Sequence, residues 1–72
     1  MENKFLARVW GHGGIQDINE IDASYPVYFA TAKDARQSLA RFMVRNMDTG
    51  KIGGGSIIKL LKDGHYRTVQ NV

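Results

Sequence analysis

Ser56-Ile57-Ile58-Lys59-Leu60-Leu61-Lys62-Asp63-Gly64-His65-Tyr66-Arg67-Thr68-Val69 admits two readings, and the choice between them decides the fold. In one, Asp63-Gly64 is the two-residue turn of a hairpin with arms at 56–62 and 65–70, because Asp-Gly suits the positive φ angles of a type I′ turn. In the other, Ile57, Ile58, Leu60 and Leu61 form about one and a half helical turns. The β-branched pair, the Asp-Gly signal and the shortness of the apolar run favour the hairpin.

Working outward, Lys51-Ile52-Gly53-Gly54-Gly55 reads as a loop, since consecutive glycines lose much backbone freedom inside a regular element. Before it, positions 32, 35, 39, 42, 43 and 47 make one apolar stripe at helical spacing, with Asp34, Gln37, Arg41 and Arg45 projecting away. Thr31 is placed to cap this helix, Asp34 puts negative charge on its first turn, and Gly50 suits its end. Tyr25-Pro26-Val27-Tyr28-Phe29-Ala30 alternates and is rich in strand formers, with Pro26 near the start, so it reads as a second strand. The first strand is Lys4 to Trp10, with Phe5, Ala7 and Val9 on one face and Leu6, Arg8 and Trp10 on the other. Gly11-His12-Gly13-Gly14 breaks it. Residues 15–22, with isoleucine at every third position, read as a helical turn or an irregular loop within a long connection. The expectation is an α+β domain spanning 1–72, in the order β-β-α-β-β. Three to four antiparallel strands form a small sheet with one helix on one face.

Composition narrows the function. The chain has 72 residues, 43% of them hydrophobic, one proline and no cysteine. A domain of this size buries only about 60% of the surface its unfolded chain exposes, which leaves little material for a deep preorganised site. Absent cysteines remove disulfides and thiolate metal sites. The apolar runs are short, and Met1-Glu2-Asn3-Lys4 lacks a signal-peptide core, so a cytoplasmic protein without a membrane partner is expected. Charge is uneven. Residues 1–32 carry a net −2, whereas the chain from Lys33 onward carries eight cations against three aspartates, a net +5. Such asymmetry marks a surface for nucleic acid or an acidic protein, or a solvated face.

Catalytic patterns are missing. His12 and His65 lack close metal-ligand spacing, and neither Ser24 nor Ser56 lies in a nucleophile elbow. The glycine runs lack the Gly-Lys-Ser/Thr order of a phosphate loop. A non-enzymatic protein without cofactors is expected. The candidate binding residues are Arg41 and Arg45, one turn apart on the exposed helix face, with Arg36 at the flank, Lys33 near the start and Lys51 beyond, for phosphates or carboxylates, and Trp10 and Tyr28 beside Arg8 as rings for base stacking. The alternative for these aromatics is packing into a second small cluster.

Two resemblances follow from these segments. Gly50-Lys51-Ile52-Gly53, followed by the helical reading of 56–61, resembles the KH nucleic-acid module, whose GxxG loop clamps the backbone of four nucleotides between helices. That implies a small nucleic-acid-binding regulator. The strand at Lys4 to Val9, the segment Tyr25 to Thr31 and the helix containing Ala35, Leu39 and Ala40 resemble small phage-encoded inhibitors of host machinery. These include anti-CRISPR proteins and the RNA-polymerase inhibitor of T7-like phages; the tail, with Lys59, Lys62 and a single Arg67, departs from the latter. This resemblance implies a phage or mobile-element protein in the host cytoplasm. It would inhibit a host protein or ribonucleoprotein complex, a CRISPR effector or RNA polymerase, by surface occupation. It would act as a monomer, or as a homodimer through its sheet edges.

Overall fold

The computed structural model describes residues 4–11, 13–46 and 52–72. The elements are β1 (Phe5–Gly11), β2 (Gly14–Asp17), α1 (Ile18–Ile21), α2 (Ala32–Asn46), β3 (Ile52–Leu60) and β4 (Tyr66–Asn71). The strands form one antiparallel sheet in the order β2-β1-β3-β4. Helix α2 packs across β1 and β3, giving the α+β architecture expected from the sequence.

Alternation along β1 sends Phe5, Ala7 and Val9 toward the helix. Across from Ala7 stands Ile57, and across from Val9 stands Gly55. Ala35, Leu39 and Phe42 descend from α2 onto this surface, and Ile18 and Phe29 close its margin. The helix starts as the sequence requires, with the Asp34 amide donating to Thr31 Oγ1 at 3.1 Å. Met47 and the expected helix end at Gly50 lie outside the described residues.

Three readings are corrected. First, Tyr25–Ala30 is not a strand. It makes a single antiparallel bridge, Phe29 to Phe5, with the Phe29 amide donating to Phe5 O at 2.7 Å. The segment meets a partner whose edge is already taken, because β2 folds straight back on β1 from Gly11↔Gly14 to Arg8↔Asp17. A local hairpin closes a much shorter loop and so costs less entropy. Only the start of β1, beyond the end of β2, remains for Phe29. The expected long connection is thus a hairpin, a helical turn at Ile18–Ile21 and a shorter loop.

Second, Ile52–Gly55 is strand rather than loop. A β-carbon at Gly54 would stand 2.6 Å from Trp10 Cζ2, and one at Gly55 would stand 3.0 Å from Leu39 Cδ2. These two glycines let a ring close over one face of the sheet and a helix over the other.

Third, the hairpin favoured for the tail is present and the helical reading of 56–61 fails, with the second helix that the KH resemblance needs, but the turn is corrected. Its turn is not type I′. In this loop only Gly64 has positive φ (88°), among the described residues no non-glycine residue does, and the loop is closed by Gly64 N to Leu61 O (3.1 Å) and Leu61 N to His65 O (2.8 Å). This is the three-residue hairpin loop, which asks for a left-handed glycine only at its last position.

Candidate functional site

The sheet face away from α2 is built on even-numbered residues of β1. Arg8 stands opposite Asp17 of β2 and Ser56 of β3, and Trp10 stands opposite Ile15 and Gly54. Arg8 Nε donates to Asp17 Oδ1 at 2.9 Å, and the guanidinium carbon lies 5.6 Å from the centroid of the Tyr66 ring. Tyr66 belongs to the row of Leu60, one row beyond Leu6, Ile58 and Thr68. For ring and guanidinium to meet, they must close over Leu6 and Ile58. That accounts for exposures of only 3% and 6% on a face that none of the described helices covers. Arg8 and Trp10 are therefore together on one surface. Tyr28 is not with them: it is half-buried in the loop before Phe29. The residue missed from the sequence is Tyr66, and the signal for it was the hairpin register that pairs it with Leu60.

The helical cations separate. At about 100° per residue, Arg41 and Arg45 are neighbours on one flank of α2, while Arg36, nine residues before Arg45, points about 180° away from it. The expected row is thus two flanks. Arg45 faces the α1 end, where it adds to the lowering of the Asp22 carboxyl below its ordinary range; hydrogen bonds from the Ser24 hydroxyl (2.7 Å) and amide (3.0 Å) are the main cause. Arg36, four residues after Ala32, lies about 40° round the helix from it. All three arginines are exposed, and Lys51 lies outside the described residues.

On the Ala32 side, α2 and the end of the sheet enclose a groove of about 320 Å³ lined by Phe5, Ala32, Lys59, Arg67, Thr68 and Val69. Phe5, Lys59 and Arg67 are successive members of one row across β1, β3 and β4. The Lys59 ammonium sits 5.8 Å from the Phe5 ring centroid, so the aromatic face takes up a cation that has Arg67 directly opposite. Among the described residues, no carboxylate lines this groove. The strand order carries the charge asymmetry into space. Asp17, Glu20 and Asp22 lie at the β2–α1 end, and Lys59, Lys62 and Arg67 lie at the β3–β4 end, where Asp63 is occupied by His65 Nδ1 at 3.0 Å.

A second cavity of about 270 Å³, beside the β1–β2 turn, is lined by Val9, Gly11, Gln16, Ile21, Asn46 and Ile52 among others, and none of these side chains titrates. Among the described residues, no three His, Asp or Glu side chains are grouped to hold a metal ion, and no helix is long and apolar enough to cross a membrane. No protein-family model, curated protein or solved structure matches the chain.

Proposed function

We propose that this chain is a non-enzymatic binding protein that inhibits a nucleic-acid-handling complex, a CRISPR effector or RNA polymerase. It does so by covering an acidic surface of that complex with its β3–β4 end, in the cytoplasm where the complex works. The supporting observation is the groove in which Lys59 and Arg67 stand opposite each other, bare of carboxylates among the described residues. Such an arrangement costs repulsion in the free protein that an anionic partner relieves. A small sheet with one helix is the layout that the resemblance to compact inhibitors implies.

The test is retention from a bacterial lysate containing both complexes, at about 0.15 M salt. Immobilised native chain is expected to retain one of them stoichiometrically, and the doubly reversed Lys59→Glu, Arg67→Glu chain to lose it. Retention of neither complex, or equal retention by both chains, overturns the reading.

A second reading, direct binding of single-stranded nucleic acid, is favoured by Arg8, Trp10 and Tyr66 sharing the face free of α2. Bases stack on such rings for about 1–3 kcal/mol each. It expects quenching of Trp10 fluorescence by an oligonucleotide and affinity that falls steeply with salt. Absence of binding at low salt removes it.

A further inference from the structure

Resting on the basic β3–β4 surface of that reading, we propose that the open edge of β4 receives an extended acidic segment of a protein partner as a fifth strand. Its carboxylates lie on the α2 side, and its apolar side chains lie on the other.

Among the described residues, strand β4 is the outer strand and pairs only with β3, and all six of its residues are exposed. One edge of its backbone therefore presents amides and carbonyls without a ladder, the template that strand addition uses. Side-chain pockets then set which sequences fit. On the α2 side the row Phe5–Lys59–Arg67 ends at this edge. A residue pairing with Arg67 extends the row by one place, and a carboxylate there meets Arg67, with Lys59 behind it. On the other side, Tyr66 and Thr68 stand half a pleat away, with Tyr66 51% exposed, and offer contact to apolar or β-branched partners. Period-two alternation makes the two requirements compatible in one peptide: acidic, apolar, acidic.

The same charges act against a second copy of this chain wherever the register sets one Arg67 opposite the other, because like charges directly opposite destabilise sheets. An acidic strand is accepted by the edge that repels its duplicate.

The experiment uses the full chain and three fluorescein-labelled nonapeptides: alternating glutamate and valine, the same residues in two blocks, and the alternating peptide N-methylated at every second amide. Anisotropy is read for each, with amide exchange followed along β4. The alternating peptide is expected to bind at least about tenfold more tightly than either control, to slow exchange in β4, and to weaken about tenfold with Arg67→Glu. Equal binding of the N-methylated or block peptide overturns strand addition but leaves the basic-surface reading standing. The same holds if no peptide binds while the lysate complex is still retained. Displacement of the alternating peptide by an equimolar thymidine oligonucleotide also overturns it, in favour of a nucleic-acid strand. Failure of the lysate test alone would remove the named target and not the edge.

Discussion

The indole of Trp10 lies against Gly54 of the neighbouring strand so closely that a β-carbon at residue 54 would stand 2.6 Å from Cζ2 and 2.8 Å from Cε2 of the ring. Real side chains do not approach so near, so alanine at 54 must push the indole off the sheet. Gly54→Ala is expected to cost about 1–3 kcal/mol in urea unfolding. It should also shift the fluorescence of Trp10, the only tryptophan, to the red. In a Trp10→Ala background the same substitution should cost clearly less, because the obstacle is gone; equal cost in both backgrounds would show that the ring is not the constraint.

On the opposite face, Gly55 lies beneath Leu39, which is fully buried. Leu39→Ala is expected to cost about 2–5 kcal/mol, from lost burial and the cavity left behind. A β-carbon at Gly55 points at the same leucine, 3.0 Å from Cδ2. Gly55→Ala should therefore be less harmful in the Leu39→Ala chain than in the native one, and a double-mutant cycle by chemical denaturation measures the difference.

Helix α2 begins on the Thr31 hydroxyl, which accepts the Asp34 amide at 3.1 Å. Thr31→Ala leaves that donor to water and is expected to lower stability by about 1 kcal/mol, with Thr31→Ser close to native. Hydrogen exchange at Asp34 should accelerate in the alanine variant while the centre of the helix is unchanged.

Asp63 holds the turn between β3 and β4 by accepting from the His65 imidazole Nδ1 and the His65 amide, each at 3.0 Å, and these bonds draw its pKa below the ordinary aspartate value of 3.8. Because the folded value is the lower one, the contribution to stability is present above about pH 3.8 and is lost as pH falls through the folded value. A carboxyl NMR titration should give a midpoint below that of an unfolded aspartate. The stability difference between the native chain and Asp63→Asn should shrink as the solution is acidified through that range.

Some of this molecule was legible before any coordinates. The stripe Ala35, Leu39, Phe42 and the Thr31 cap depend on residues within a few positions of each other, and they read correctly. The Asp63-Gly64 signal also named the right hairpin, although Gly64 alone adopts the left-handed backbone and the turn type differs. The triple glycine misled because its meaning lies elsewhere in the chain: Trp10 needs Gly54 empty of a side chain, and Leu39 needs the same of Gly55. Tyr25–Ala30 misled for a related reason, since its strand propensity is real but the edge of β1 belongs to the nearer segment Gly14–Asp17. For the site, Arg8 and Trp10 do share a surface. Arg36 and Arg45 do not, because nine residues of helix turn them about half a circle apart.

Local chemistry was thus the part that the sequence determined by itself: where a helix starts, which of its faces is apolar, which tail segment turns back, and how the charges divide between the two halves of the chain. The tertiary structure decided which strand neighbours which. Strand order is set by competition among distant segments for the same backbone edge, and no residue carries the outcome of that competition in its own propensity. That order, β2-β1-β3-β4, places the acidic residues at one end and Lys59 and Arg67 side by side at the other, turning an asymmetry along the chain into a surface with a direction.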